Sequence, residues 1–206
     1  LGANVTDDLN PSKSFQNPGV YHVTLTATYP GAVITRQLDI QVYNKPTVKF
    51  NTVTLSGCAP FMASFTDQST PGDGSIKSIT WDFADGSGGS GPNVSHTYTQ
   101  AGTYNVISIV TNTMNCSSSG DPVSIKVEEP PTPAFSADKT QSCTAPLTVN
   151  FFNSTVNNSP DPVTYTYDYG DGTSGTDFSH TYTQEGRYTV TLTAHTPNCA
   201  MPLVKK

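Results

Sequence analysis

A nine-residue pattern written three times constrains this chain more than any other feature. His96-Thr97-Tyr98-Thr99-Gln100-Ala101-Gly102-Thr103-Tyr104 recurs as His180-Thr181-Tyr182-Thr183-Gln184-Glu185-Gly186-Arg187-Tyr188. A worn copy, Lys13-Ser14-Phe15-Gln16-Asn17-Pro18-Gly19-Val20-Tyr21, precedes both. The copies begin 83 and 84 residues apart, which marks one folding unit repeated in tandem. Two full periods and a shorter leading piece account for the 206 residues.

Within each period the apolar residues alternate. Tyr165, Tyr167 and Tyr169 share one strand face, as do Tyr188, Val190, Leu192 and Ala194, with Thr and Asp between them. Period-two alternation means one buried face and one wet face. Two such sheets packed face to face bury both apolar faces, so the expected class is all-β, a sandwich of about seven strands per module. Ile79, Trp81 and Phe83 repeat the plan in the second unit, and Asp85-Gly86 and Asp171-Gly172 supply turn residues. Linkers are short and proline-bearing, Lys45-Pro46 and Glu129-Pro130-Pro131-Thr132-Pro133, which predicts semi-rigid spacers and modules set end to end. The domain reading is residues 1–45 as the second half of an incomplete module, then complete modules at 46–129 and 130–206.

Charged residues make up 13% of the chain, with net charge -6 and the basic residues scattered. Nucleic acid is excluded as an expected partner because phosphate tracking needs clustered Lys and Arg. No apolar run approaches the ~20 residues that cross a bilayer, so no membrane insertion is expected in this segment. Leu1-Gly2-Ala3-Asn4 lacks the features of a signal peptide, and the chain reads as a slice of something longer.

The four cysteines follow the repeat, with Cys58 and Cys116 in the second unit and Cys143 and Cys199 in the third. One pair per module predicts two intramodule disulfides, Cys58–Cys116 and Cys143–Cys199, and an oxidising compartment. Tyr104 to Cys116 is one residue longer than Tyr188 to Cys199, and Val106-Ile107-Ser108-Ile109 breaks clean alternation. A β-bulge near Ile107-Ser108 would absorb the extra residue and turn Ile109 inward. The alternative is an extra residue in the following loop, with Ser108 inward.

At Trp81-Asp82-Phe83-Ala84-Asp85-Gly86 and Tyr167-Asp168-Tyr169-Gly170-Asp171-Gly172, the chain resembles PKD (polycystic kidney disease) repeats. His96-Thr97-Tyr98 and His180-Thr181-Tyr182 follow at the family's spacing, as do Gly102-Thr103-Tyr104 and Gly186-Arg187-Tyr188. Ala84 stands where the family has glycine, and Lys13 where the other copies have His. The resemblance implies immunoglobulin-like sandwiches on extracellular proteins, of the kind found in long bacterial surface adhesins. The expected function is therefore that of non-catalytic spacer or adhesion repeats at the cell surface. Their partners would be neighbouring modules and an extracellular protein or polysaccharide surface. The alternative is an ancillary, polymer-binding domain of a secreted protease or glycoside hydrolase.

Three sharper readings compete with scaffold roles. Ser95, His96 and Asp82, or Ser179, His180 and Asp168, are the residue types of a hydrolytic triad. Adjacent Ser and His on one strand point to opposite faces, however, so both His are expected to bond near the Asp-Gly turns. Asp168, Asp171 and Asp177 offer a calcium loop, whereas the second module has only Asp82 and Asp85. Turn capping explains both modules, so no cofactor is expected and calcium is the lesser reading. Trp81 is expected in the core rather than on a glycan platform. Tyr21, Tyr104 and Tyr188 resemble tyrosine corners.

Overall fold

The computed structural model describes residues 10–205, and the reading of Leu1 to Asn4 lies outside them. Among the described residues the chain consists of strands, turns and loops without a helix. It opens with a hairpin, β1 (Gly19–Tyr29) and β2 (Ala32–Val42), paired from Gly19↔Val42 to Tyr29↔Ala32 around Pro30-Gly31. Gly31 takes φ 87°, a conformation natural to glycine at that turn. Large apolar residues of the hairpin, including Leu25, Val33 and Leu38, stay exposed.

The second module runs β3 (Phe50–Thr52), β4 (Ser56–Cys58), β5 (Phe61–Asp67), β6 (Ile76–Asp82), β7 (Gly88–Ser90), β8 (Asn93–Tyr98), β9 (Gly102–Asn112), β10 (Ser117–Ser119) and β11 (Val123–Glu128). One sheet has the order β3-β5-β8 and the other β4-β11-β9-β6-β7, with β10 also on β9. Between them lie Phe50, Ala63, Phe65, Ile79, Trp81, Phe83, Tyr98, Val106, Val110, Ile125 and Val127. Trp81 is in this core, its indole N–H donating to Gly91 O at 2.9 Å.

The third module repeats the plan with β12 (Phe135–Ala137), β13 (Leu147–Asn153), β14 (Thr164–Asp168), β15 (Ser174–Gly175), β16 (Ser179–Tyr182), β17 (Thr191–Thr196) and β18 (Cys199–Lys205). Its sheets are β12-β13-β16 and β15-β14-β17-β18, around Val149, Phe151, Tyr167, Tyr169, Tyr182 and Leu192. The tandem sandwich architecture expected from the alternation is present.

The bulge expected at Ile107-Ser108 is absent. The β6–β9 ladder is regular there, with Asp82↔Ile107 and Trp81↔Ser108. Ser108 is fully buried and Ile109 exposed. Opposite Trp81, Ser108 thus occupies the place that Leu192 holds opposite Tyr167. The extra residue sits in the turn after β9, where Asn112 N–H bonds Cys116 O and Asn115 takes φ 61°.

The disulfide pairing expected from the repeat is also overturned. Cys58 is bonded to Cys199 across the two modules, and Cys116 and Cys143 are free thiols. The two cysteines of the second module lie at opposite ends of its sandwich. Cys58 faces Glu128, where β11 leaves for the next module, whereas Cys116 sits in the turn beyond the far end of β9. An eleven-residue strand rising ~3.3 Å per residue separates them, far beyond the ~7 Å between Cα atoms that a disulfide tolerates. Cys199, in the equivalent turn of the third module, comes within 5.1 Å of Cys58, Cα to Cα.

The linker prolines are packed rather than free. Pro46 and Pro131 are both buried, and the bridges Thr47↔Thr70 and Thr132↔Val156 tie each linker to the module after it. Non-reducing peptide mapping should therefore recover a Cys58–Cys199 peptide and alkylatable Cys116 and Cys143. Cys58→Ser should lower the melting temperature, the cross-link contributing up to about 5 kcal/mol in the chain-entropy model. Recovery of a Cys58–Cys116 peptide from folded protein would refute the assignment.

Candidate functional site

The family-signature residues converge on one structure in each module, a clasp that joins the two sheets. Asp82 caps the turn after β6, its Oδ1 accepting from Ala84 N–H at 2.8 Å. Asp85 Oδ1 accepts from the Ser87 amide (3.0 Å) and hydroxyl (2.5 Å). Asp85 Oδ2 faces His96 Nε2 at 2.6 Å. A carboxylate only accepts, so Nε2 carries the hydrogen. The imidazole of β8 lies flat on Phe83, centroids 4.4 Å apart and planes 4° apart, and edge-on to Tyr98 at 4.6 Å. Tyr98 stacks on Tyr104 at 4.2 Å, and its hydroxyl reaches across to Phe83 O at 3.1 Å.

The third module reproduces this. Asp168 caps Gly170 N–H at 2.9 Å, and Asp171 Oδ1 accepts from the Thr173 amide and hydroxyl at 3.0 and 2.6 Å. His180 Nε2 meets Asp171 Oδ2 at 2.7 Å while stacking on Tyr169 at 4.1 Å and 5°. Tyr182 bonds Tyr169 O at 3.0 Å and stacks on Tyr188 at 4.5 Å. The tyrosine hydroxyls of all three copies close the same four-residue loop: Tyr21 to Asn17 O, Tyr104 to Gln100 O and Tyr188 to Gln184 O, at 2.7, 2.9 and 3.0 Å. In the first copy Phe15 stacks on Tyr21 at 4.2 Å, taking the place of Tyr98 and Tyr182.

The carboxylates carry the electrostatics of the clasp. For Asp85, burial pushes the pKa up, but bonds from Ser87 and His96 outweigh it and hold the group below the usual range. For Asp171, the Thr173 hydroxyl first and His180 second pull it down to about 2. Burial raises Tyr98 and Tyr182, with the turn carboxylates adding to the effect.

This arrangement is not a triad. Ser87 Oγ lies 3.4 Å from His96, but at the same Nε2 that Asp85 holds. A general base needs one ring nitrogen toward the carboxylate and the other toward the nucleophile. Asp82 and Asp168 cap turns instead of orienting the imidazoles, and Ser95 is on the exposed face of β8. Of the carboxylates in the calcium reading, Asp168 and Asp171 accept from Gly170 and Thr173 of their own turns. The hydroxyl partners Ser87 and Thr173 were missed from sequence, although their signal, a hydroxyl two residues after Asp in Asp-Gly-Ser and Asp-Gly-Thr, was present.

A second polar site sits at the junction. Glu128 at the end of β11 is buried, with Oε1 2.6 Å from Lys126 Nζ. From the third module, Ser159 Oγ donates to Oε2 at 2.8 Å and Asn198 Nδ2 to Oε1 at 3.3 Å. Asn198 also bonds Asp161. Burial raises the Glu128 pKa, but the bonds from Lys126 and Ser159 keep it below its ordinary value. At the preceding junction, Asn44 is held by Asp73 Oδ2 at 2.7 Å and by Asn112 Nδ2 at 3.2 Å.

Three tests follow from the clasp. Ala84 holds φ 64°, a left-handed conformation that costs a side-chain-bearing residue about 1 kcal/mol. Ala84→Gly should raise stability by roughly that amount in urea titration. His96→Ala should instead destabilise by about 1–3 kcal/mol. A carboxylate with a depressed folded pKa contributes stability that is complete above its unfolded value and is lost as pH falls. The contribution of Asp171 should therefore fade from about pH 4 toward its folded pKa of about 2. In Asp171→Asn the acid limb of the stability profile should flatten, and an unchanged limb would reject the clasp as its source.

A family model described as the PKD domain matches residues 44–127 and 129–199. Polycystin-1 of Homo sapiens is 31% identical over 205 residues, covering 95% of this chain and 5% of that protein. Among solved structures, the PKD1 domain of Vibrio anguillarum Epp is 28% identical and covers 43% of this chain and 100% of its own, with a TM-score of 0.38. The PKD1 domain from the Vibrio cholerae metalloprotease PrtV is 28% identical, covers 41% and 98%, and has a TM-score of 0.37.

Proposed function

Because the chain belongs to the PKD domain family, we propose that its modules are non-catalytic extracellular spacers that project or support an adhesive region of a long cell-surface protein. The observation that carries this reading is the junction between the two complete modules. There the Cys58–Cys199 bond, the buried Glu128 and the packed Pro131 act together. A disulfide persists in oxidising surroundings, which supports placement outside the cytoplasm. In each module the family's polar signature residues are engaged in turn capping and the aromatic clasp, which supports a scaffold role for them.

A second reading, polymer binding beside a secreted hydrolase, is favoured by one feature. Phe152 and Phe178 are exposed on the third module and line a shallow cavity of about 580 Å³ with Asn150, Asp177 and Ser179. The second module carries Thr66 and Val94 at the matching register positions, so these rings are not part of the repeated scaffold.

Small-angle scattering of the 206-residue chain tests the spacer. An elongated distance distribution that broadens on reduction is expected, and a compact symmetric one would overturn it. Sedimentation with insoluble polysaccharides tests the second reading. Retention abolished by Phe152→Ala with Phe178→Ala would favour polymer binding over a pure spacer.

A further inference from the structure

Glycan acceptors of the Asn-x-Ser/Thr type, with a residue other than proline between, stand at Asn4, Asn93, Asn115, Asn153 and Asn157. Asn4 lies outside the described residues. The fold engages three of the other four. Asn157 Nδ2 spends both hydrogens, donating to Ser159 O at 3.0 Å and to Asp161 O at 2.9 Å. Asn153 is half-buried, and its Oδ1 accepts from the Thr155 amide at 2.9 Å and hydroxyl at 2.6 Å, so the hydroxyl of its own motif is occupied. Asn115 Oδ1 accepts from Lys77 Nζ at 2.7 Å, and Ser117 Oγ shares a hydrogen bond with Thr111 Oγ1 at 2.8 Å. Asn93 and Ser95 are different. As alternate residues of β8 they are exposed on the same outward face, and neither side chain has a partner among the described residues.

The same position has a physical need for cover. β8 pairs with β5 along one edge, and its other edge is open among the described residues. An open edge recruits strands of other chains unless it is short, charged or covered. The third module blunts its equivalent edge with a four-residue β16 and with Asp177 at the place of Asn93. The second module has neither device. Its β8 is six residues long, Asn93-Val94-Ser95-His96-Thr97-Tyr98, without Asp, Glu, Lys or Arg. We propose that Asn93 carries an N-linked glycan and that this glycan covers the β8 edge, an inference that rests on the extracellular reading above. Transfer joins Asn93 Nδ2 to C1 of a sugar activated as a glycosyl pyrophosphate. The C1–O bond breaks, the pyrophosphate leaves with its electron pair, and Nδ2 gives up one proton. A bulky, hydrated sugar at the start of the strand then holds a second chain away, as Asp177 does by charge in the third module.

The test uses the full chain secreted from a eukaryotic cell, then treated with a glycan-releasing amidase in heavy-oxygen water. That treatment leaves a heavy aspartate wherever an asparagine carried sugar. Peptide mapping should find it at position 93 and at none of Asn115, Asn153 and Asn157. Ser95→Ala, which leaves Asn93 in place, should abolish the mark, and Ser95→Thr should keep it. Sedimentation velocity reads the cover. Compared with the glycosylated chain, Ser95→Ala protein should dimerise at a concentration at least about tenfold lower. Adding Thr97→Lys, a charge on the open edge, should reverse that shift. A bare Asn93 in the secreted chain would overturn the proposal, as would sugar on Asn115, Asn153 or Asn157 in its place. Dimerisation indifferent to the glycan would overturn the covering role. Native protein recovered from the cytosol with Asn93 bare would overturn the extracellular reading and the proposal together.

Discussion

A single stacked imidazole holds each sandwich shut. His96 belongs to the β3-β5-β8 sheet, whereas Phe83 and Asp85 extend from β6 in the opposite sheet, so stack and hydrogen bond both cross the core. Tyr98 adds a third crossing through its hydroxyl to Phe83 O. The imidazole is only 17% exposed, which keeps its bond to Asp85 partly shielded from solvent. For a module with few large aliphatic residues, such shielded polar contacts position the aromatics that supply most of the buried area. The Asp-Gly turn, the His-Thr-Tyr strand and the Tyr loop are one mechanical unit, and that explains why they travel together in the sequence.

The junctions follow a related logic with different chemistry. Asn44 and Glu129 hold equivalent linker positions and bond the same loop of the following module, through Asp73 in one case and Asn158 in the other. The donor and acceptor exchange sides between the two junctions. Glu128 goes further, burying a carboxylate among Lys126, Ser159 and Asn198, so loss of one partner would leave a charge poorly compensated. Polar partners of this kind are directional, and they define an orientation between modules that apolar contact alone would leave loose.

Much of this was legible in the chain. Alternation at Tyr165 to Tyr169 and at Ile79 to Phe83 placed the core faces, and the repeated signature placed the clasp. Two features were not legible, and a third was legible but unread. The disulfide joins positions that are neighbours only after two modules are stacked, and spacing within a module says nothing of which end of the sandwich a cysteine occupies. Ser108 sits inward because ladder regularity outweighs the preference for an apolar residue there; hydrophobic pattern favoured Ile109. The hydroxyls of Ser87 and Thr173 were legible but unread: a hydroxyl two residues after an aspartate is placed to bond it.

The location of the disulfide also changes what it can do mechanically. A bond within a module would shield that module's own core strands. The Cys58–Cys199 bond instead runs in parallel with the linker from Glu128 to Thr132, so tension along the chain divides between the two paths. It joins the end of the second module where β11 departs to the turn between β17 and β18 in the third. Separating the modules by pulling out the proline linker therefore requires a covalent bond to break or one sandwich to unfold. Residues 59–198, both clasps included, lie inside the loop that this bond closes, so a pull along the chain reaches first the segments outside it, β3 and β4 ahead of Cys58 and β18 beyond Cys199.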